Sequence, residues 1–76
     1  MNKERRNTLY KLIEEIRKIR DDIEYEKDQE DDYRDSMPEN LQYGERYDRS
    51  EECSDAMENL IEAIDDGTEE LEEALG

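Results

Sequence analysis

Carboxylates are the side chains of this sequence that could carry chemistry, and they are concentrated in one stretch. The fifteen residues of Asp21–Asp35 contain nine carboxylates, offset only by Lys27 and Arg34. Carboxylates can transfer protons, bind hard cations through oxygen, or present fixed negative charge. The residues that accompany them decide among these three uses.

The residue types that accompany carboxylates in most active sites are missing. The chain has no histidine, and its single cysteine, Cys53, has no base beside it in the sequence. Nucleophilic catalysis needs an activating base next to the nucleophile. No such pattern surrounds the five hydroxyl side chains Thr8, Ser36, Ser50, Ser54 and Thr68. We therefore predict that the protein is not an enzyme and needs no cofactor.

Metal binding has equally weak support in the sequence. Helical di-iron proteins ligate their metals with Glu-x-x-His motifs, which a chain without histidine does not contain. The run 28–35 lacks the glycine at the sixth position and the spaced ligands of a calcium loop. We predict diffuse attraction of cations and no metal site.

Fixed negative charge is the remaining use, and the size of the charge supports it. The formal charge is −15, from 26 acidic and 11 basic residues, whereas a magnitude of about 2–8 serves the solubility of a small domain. Charges three or four residues apart on a helix are separated by about 5–6 Å. That spacing is close to the separation of phosphates along a nucleic-acid strand, which carries one charge per roughly 3.4 Å of axis. Acidic rows on Asp21–Asp35 and Glu45–Glu58 are thus predicted to contact a basic partner.

Fourteen residues make up the predicted partner-binding surface, and two of them are tyrosines. They are Asp21, Asp22, Glu24, Asp28, Asp31, Asp32, Asp35, Glu45, Asp48, Glu51, Glu52, Asp55, Tyr33 and Tyr43. Tyrosines at this end of the molecule could pack with their hydroxyls in water or could anchor a protein interface. Both interpretations stay open.

An apolar pattern in the first half of the chain predicts the helix that positions the first acidic row. The pattern alternates steps of three and four residues, the heptad signature of a helix seam. Its members are Leu9, Leu12, Ile16, Ile19 and Ile23. We predict a helix from about Lys3 to about Asp35.

A second pattern with the same spacing predicts a helix from about Glu45 to about Ala74. Its members are Tyr47, Ser50, Cys53, Met57, Leu60, Ile64, Gly67, Leu71 and Ala74. Gly67 costs a helix interior about 1 kcal/mol relative to Ala, and Asp66 could cap a separate short helix. The pattern keeps its phase through Gly67, which favours one continuous helix. Cys53 is predicted to be a small buried side chain, with an intermolecular disulfide as the alternative.

The segment 36–44 is the only one with turn character. Pro38 cannot continue a preceding helix, and Asn40 and Gly44 suit irregular backbone. The first twenty residues hold seven basic and three acidic groups, which would lie beside the acidic end of the second helix in an antiparallel pair. We predict one all-α domain over 1–76, an antiparallel, coiled-coil-like two-helix hairpin.

The apolar content is small for a monomer of this fold. Hydrophobic residues are 32% of the chain, and a domain of this size buries a smaller fraction of its surface than a larger one. We predict that two copies form a homodimeric four-helix bundle. Dimerisation would cover Ile13, Ile61 and Leu75, which the seams place on the outer flanks of the hairpin.

The expected compartment follows from the absence of targeting signals. The N-terminus MNKERRNTLY has no apolar run of a signal peptide, and no stretch approaches the roughly 20 apolar residues of a membrane span. A single cysteine rules out an intramolecular disulfide. We expect a cytoplasmic protein that repels nucleic acid and anionic membranes and attracts basic proteins.

Several motifs resemble those of another group of proteins. They are MNKERR, MPENLQ (Met37–Gln42), GERY (Gly44–Tyr47), Ala63–Asp65 and Leu71–Ala74. The chain resembles a set of short, uncharacterised acidic proteins of Gram-positive bacteria and their phages, and the likeness spans nearly its whole length. Asp66 and Gly67 stand where that set often has Ser-Leu. In size and charge the chain is also similar to DNA-mimicking phage inhibitors of anti-CRISPR, anti-restriction and uracil-DNA-glycosylase-inhibitor type.

The expected function is therefore an acidic mimic of nucleic acid. Such a protein would bind the basic DNA or RNA groove of a host defence or DNA-processing protein. The alternative is a non-catalytic structural or adaptor module that self-associates or binds a partner helix through its apolar seam. A third interpretation is a charge-rich chaperone for a basic partner.

Overall fold

Two long helices joined by a short turn make up the whole chain. The computed structural model describes all 76 residues. Helix α1 spans Lys3–Asp35, a single 3₁₀ turn spans Glu39–Leu41, and helix α2 spans Glu45–Leu75. The helices pack antiparallel along their length into a rod with principal extents of 59 × 15 × 13 Å. The predicted all-α, antiparallel hairpin is confirmed, and both helices begin and end within one residue of the predicted bounds.

Local hydrogen bonds mark the ends of α1. At its start, the Asn2 side chain accepts a hydrogen bond from the Arg5 backbone N–H at 2.7 Å, which satisfies one of the N–H groups that a helix leaves unpaired. At its end, the Ser36 hydroxyl donates to the Asp32 carbonyl at 2.9 Å. Pro38 then prevents the helix from continuing, because it lacks a backbone N–H and its ring excludes the preceding turn.

The contact between the helices uses a seam displaced from the predicted one on α2. The buried or half-buried residues of α2 are Tyr47, Ser50, Ser54, Met57, Ile61, Ile64, Thr68, Leu71, Glu72 and Leu75. Four predicted seam members, Cys53, Leu60, Gly67 and Ala74, are exposed. In each case the next residue along the chain is buried instead. The apolar residues of α2 cover more of the helix circumference than one seam does, and only those along one edge contact α1.

The seam of α1 is displaced in the same way. Its buried or half-buried residues are Leu9, Ile13, Arg20, Ile23, Glu24, Lys27, Glu30, Asp31 and Arg34. Leu12 and Ile19, both predicted seam members, are 44% and 56% exposed. Ile13 is the most deeply buried side chain of the protein, at 1%. The prediction that Ile13, Ile61 and Leu75 lie on the outer flanks was wrong, because these three form the apolar core.

Gly67 does not interrupt α2. The helix is continuous from Glu45 to Leu75, and no residue of the chain has a positive φ. Beside the glycine, the Thr68 hydroxyl donates to the Ile64 carbonyl at 2.8 Å. The predicted continuous helix is confirmed, and Asp66 does not cap a separate one.

The hairpin has a thin core for its size. Only three apolar side chains are buried, and the accessible surface is 6084 Å². A compact monomer of the chain's 9.2 kDa would expose about 4,900 Å² by the usual relation between area and mass. The elongated hairpin therefore exposes roughly a quarter more surface than a compact fold of equal mass.

Replacing Gly67 with alanine should stabilise the hairpin. No atom outside the local helix backbone lies within 4 Å of the place that a Cβ would take at this position, so the added methyl group meets no obstacle in the single hairpin. Alanine gains helix propensity, and we expect the free energy of unfolding to rise by about 0.5–1 kcal/mol. Urea denaturation followed by circular dichroism measures the change, at a protein concentration low enough that the chain is monomeric. Ala63→Gly, at an exposed site on the same helix, is the matched control and should lower stability by a similar amount.

Candidate acidic interaction surface

Ion pairs join the two helices along one side of the seam. Arg17 binds Glu72 through both guanidinium ends, and the Arg20 Nε atom donates to an Asp65 carboxylate oxygen at 3.0 Å. Closer to the turn, the Lys27 ammonium lies 3.6 Å from the Glu58 carboxylate. These pairs define the ion-pair face, which carries Arg17, Glu24 and Asp31 from α1 and Glu51, Glu58, Asp65 and Glu72 from α2.

The opposite side of the seam is largely apolar. In a heptad pair of antiparallel helices, residues one position before each buried seam residue share the other long side. These residues include Leu12, Ile19 and Tyr33 on α1 and Leu60 and Gly67 on α2, all exposed, and the exposed Glu26 lies among them on α1. They form the apolar face, on which no interhelical ion pair occurs.

Basic residues replace apolar ones in the seam of α1 towards the turn. Arg20, Lys27 and Arg34 follow Ile13 at intervals of seven residues, so each occupies the same position of successive heptads. Their side chains are only 24%, 21% and 14% exposed. The acidic half of α1 is therefore held against α2 by largely buried cations rather than by an apolar stripe.

Arg34 is the centre of a polar network at the turn end of the seam. Its guanidinium donates to the Ser54 hydroxyl at 2.8 Å and to the Asp31 carboxylate at 2.9 Å. The Ser50 hydroxyl, 3.3 Å from the guanidinium, donates to the Glu30 carboxylate at 2.6 Å. No buried side-chain nitrogen or oxygen in the protein lacks a partner. The network meets the requirement that polar groups removed from water be hydrogen-bonded.

Lys27 and Arg20 continue this network towards the open end. The Lys27 ammonium lies 2.9 Å from Asp31, and it is the main reason that the pKa of Asp31 falls to about 2, with Ser54 and Arg34 contributing. Arg20 pairs with Asp21, Glu24 and Asp65. Asp65, its strongest partner, raises the pKa of Arg20 above the ordinary value. Asp31 and Arg20 therefore stay ionised near neutral pH, so the seam keeps these charges.

The predicted acidic contact residues divide into two groups. Four are paired with basic residues of the same chain. They are Asp21 and Glu24 with Arg20, Asp31 with Lys27 and Arg34, and Glu45 with Arg49. The other eight are exposed and have no basic group within ion-pair distance. We call them the unpaired carboxylates: Asp22, Asp28, Asp32, Asp35, Asp48, Glu51, Glu52 and Asp55.

The unpaired carboxylates all lie in the half of the hairpin that contains the turn. Asp48, Glu51, Glu52 and Asp55 surround one shallow hollow on α2, and the others occupy the outside of α1. Residues 20–66, the turn half, hold nineteen acidic and five basic groups, a balance of −14. The remaining residues, at the open end, carry a balance of only −1. The negative charge of the protein is thus concentrated at one end of a rod.

Tyrosines and apolar residues form a second feature at the same end. Tyr43 is 88% exposed and Tyr33 is 51% exposed. Tyr33, Met37, Pro38 and Leu41 line an open hollow of about 560 Å³ at the tip. Tyr43 packs against almost nothing, which fits the interpretation as an interface anchor better than the packing one.

Cys53 is exposed, so its predicted burial was wrong. The displaced seam puts Ser54 in the buried position and turns Cys53 towards the apolar face. Sequence reasoning also missed Arg20, Lys27 and Arg34 as seam residues. Their spacing of seven after Ile13 was the available signal, but it is carried by charged residues, which an apolar pattern ignores.

Comparison with protein-family models, curated proteins and solved structures finds no match to this chain. The case for a function therefore depends on the geometry of the acidic end. No helix is long and apolar enough to cross a membrane. No group of three or more acidic or thiol side chains is arranged to hold a metal ion.

Removing Arg34 should destabilise the hairpin more than removing an exposed arginine. Arg34→Ala removes the guanidinium that donates to Asp31, Ser50 and Ser54, and the loss of hydrogen bonds by buried polar groups costs about 1–3 kcal/mol. Arg46→Ala, at an exposed arginine without an ion pair, is the matched control and should change stability by less than about 0.5 kcal/mol. Urea unfolding of both variants gives the comparison. Equal losses would show that the network adds nothing to stability.

Acid should first stabilise the hairpin and then destabilise it. Carboxyl groups take up protons as the pH approaches about 4, which relieves the repulsion of a chain with charge −15. The pKa of Asp31 is about 2 in the folded protein, below its ordinary 3.8. Its contribution to stability is therefore present above about pH 4 and is lost as the pH falls towards 2.

Melting temperatures measured between pH 7 and pH 2 by circular dichroism test this expectation. The wild-type curve should rise towards pH 4 and fall below pH 3. Asp31→Asn should be less stable at pH 7, and its curve should show a smaller fall below pH 3. A melting temperature that decreases steadily from pH 7 would contradict the dominance of repulsion.

Proposed function

We propose that this protein is a cytoplasmic inhibitor that mimics nucleic acid. In this proposal the unpaired carboxylates occupy the basic DNA or RNA groove of a host protein, such as a nuclease, a CRISPR effector, a restriction enzyme or a DNA-repair glycosylase. The observation that carries the proposal is the concentration of charge, because residues 20–66 hold a balance of −14 and include the eight unpaired carboxylates.

Rigidity supports the proposal as much as charge does. A flexible acidic segment would lose conformational freedom on binding, whereas a preformed array avoids much of that loss. Here the half-buried side chains of Arg34, Lys27 and Arg20 tie the acidic half of α1 to Ser54, Glu58 and Asp65 of α2. The carboxylates on the outside are therefore presented at fixed positions about 5–6 Å apart along each helix.

The energetics of such a contact resemble those of nucleic acid itself. A basic groove holds condensed anions, and a ligand with several fixed negative charges releases them, which makes the affinity strongly salt-dependent. Charge concentrated at one end of a rod also orients the molecule during its approach and speeds association. Tyr43, exposed at the tip, would add an aromatic contact of the kind enriched in protein interfaces.

A second candidate function uses the apolar face. Leu12, Ile19 and Leu60 are about half exposed on it, which favours a structural or adaptor module that associates through apolar contacts. The two functions predict opposite sensitivities. Partner binding by a mimic depends on the unpaired carboxylates and on salt, whereas binding by an adaptor depends on the aliphatic residues.

Capture of partners from host lysate at two salt concentrations tests the proposal. The tagged protein should recover a nucleic-acid-binding protein at about 50 mM salt and lose most of it at about 300 mM, because a many-charge contact is screened. Added DNA or RNA should compete for the partner, and the hairpin should inhibit the partner's activity. A partner retained equally at both salt concentrations would contradict the proposal.

Neutralising three carboxylates on α2 should weaken this complex. The triple variant Asp48→Asn, Glu52→Gln, Asp55→Asn removes exposed, unpaired charges, and we expect roughly tenfold to hundredfold weaker binding at about 0.5–1 kcal/mol for each charge. The matched control is Glu14→Gln, Glu69→Gln, Glu73→Gln, which changes the net charge equally at the open end. Binding affinity for the captured partner, measured at low salt, compares the two. Equal weakening would indicate that net charge matters and the position of the charge does not.

A further inference from the structure

The apolar face carries large aliphatic side chains that the single hairpin leaves exposed to water. Leu12, Ile19 and Leu60 are 44%, 56% and 48% exposed, and they follow one side of the rod with alanine and glycine beside them on α2 and Glu26 interrupting the row on α1. From Leu12 to Tyr33 this face extends over about 30 Å at 1.5 Å per residue. Scattered apolar residues are normal on a protein surface, whereas apolar residues collected along one side mark a site of association.

The long side of the rod that carries the apolar face is as large as one partner's share of a stable interface, and the apolar face takes up about half of its length. The rod measures 59 × 15 Å across its longer sides, which is on the order of 800–900 Å² of projected area, and each partner in a typical stable interface contributes about 800 Å². The hairpin also exposes 6084 Å², about 1,200 Å² more than a compact chain of its mass. Covering one long face would remove an excess of this size.

We propose that a second copy of this chain covers the apolar face and that the two hairpins lie antiparallel, forming a four-helix bundle. A two-fold axis across the rod places α1 on α1 and α2 on α2, with the turn of each copy over the open end of the other. The interface is isologous, as in most homodimers. This inference does not depend on what the unpaired carboxylates bind.

Charge selects the antiparallel arrangement over the parallel one. With both turns at the same end, the two more acidic halves would face one another. In the antiparallel arrangement the more acidic half of each copy faces the less acidic half of the other. Arg46 and Arg49, close to the turn, also approach the acidic C-terminal end of the other α2. Like charges brought together oppose association, and complementary ones fix its orientation.

Small residues on α2 fix the register of the proposed dimer. When the two hairpins overlap fully, the two-fold axis passes between Ala63 and Ile64. Leu60 of each copy then lies over Gly67 of the other, because these positions are equally distant from the axis. Gly67 has open space around it, so a leucine side chain can enter the gap that a larger residue would close. A side chain of one helix that inserts into a gap on its neighbour, knobs-into-holes packing, is the usual contact between paired helices.

The mass in solution is the first test. Sedimentation velocity of the intact protein at about 100 μM should give twice the chain mass of 9.2 kDa, with dissociation on dilution. A folded hairpin that sediments with the mass of one chain overturns the proposal, and leaves the apolar face to a different protein. A stable species larger than two chains overturns it as well.

A distance measurement tests the orientation. Cys53 is the only cysteine and is exposed, so a nitroxide label can be attached to the otherwise unchanged protein. Because Cys53 lies on the apolar face, sedimentation of the labelled protein first checks that the label leaves the dimer intact. In the antiparallel dimer the two labels are separated by roughly 30–40 Å, because Cys53 lies about ten residues from the axis at 1.5 Å per residue. With both turns at one end, helices in contact would bring the labels within about 20 Å. Pulsed dipolar spectroscopy distinguishes these values, and the shorter one overturns the antiparallel arrangement.

Matched variants test the face. Ile19→Lys places a charge on the apolar face, and Tyr25→Lys places the same charge on the outside of α1, where Tyr25 is 61% exposed. We expect the first to raise the dimer dissociation constant at least tenfold and the second to leave it within about twofold, as for surface changes outside an interface. Circular dichroism reports the helix content of both. Loss of helix in Ile19→Lys together with the dimer supports the proposal, and equal effects of the two variants overturn it.

Discussion

The constraint on which this structure depends is the placement of cations inside a chain that is overwhelmingly anionic. With a net charge of −15, two adjacent helices repel each other unless positive charge lies between them. Arg20, Lys27 and Arg34 supply it from the seam, one in each successive heptad of α1. Half-buried ion pairs of this kind are less screened by water and salt than surface pairs. They let the helices remain in contact beyond the point where the aliphatic residues stop.

The features of this fold that could be predicted depend on the sequence of one helix alone. The features that were missed depend on contacts between the two helices. Alternating steps of three and four residues determine that a segment is helical, and Pro38 determines where α1 must end, so both helices could be located from the sequence. The same steps fit two adjacent stripes of one helix equally well. Only the partner helix chooses between them, and here Arg34 and the two seam serines moved the contact to the stripe of Ser54 instead of that of Cys53.

The displaced seam gives the hairpin two unlike sides. One carries the interhelical ion pairs, with the unpaired carboxylates beside it and on the outside of the turn half. The other carries the aliphatic residues that the original apolar pattern had assigned to the core. The carboxylates were found from the sequence because exposure follows from charge alone. Their division into paired and unpaired groups was not, because it depends on which basic side chains the fold brings within reach.

That division gives the acidic residues of the chain unequal freedom to change during evolution. Asp31 and Glu30 are bound to Arg34 and Ser50 in the seam. Most replacements there remove a hydrogen-bond partner from a cation or a hydroxyl and lower the stability of the fold. Asp28, Asp48 and Asp55 touch no partner within the chain and can be exchanged, moved or lost at little expense in stability. Related sequences would therefore preserve the seam pairs while their outer carboxylates drift. The part of the protein most able to adapt to a changing partner is also the part that the fold least needs.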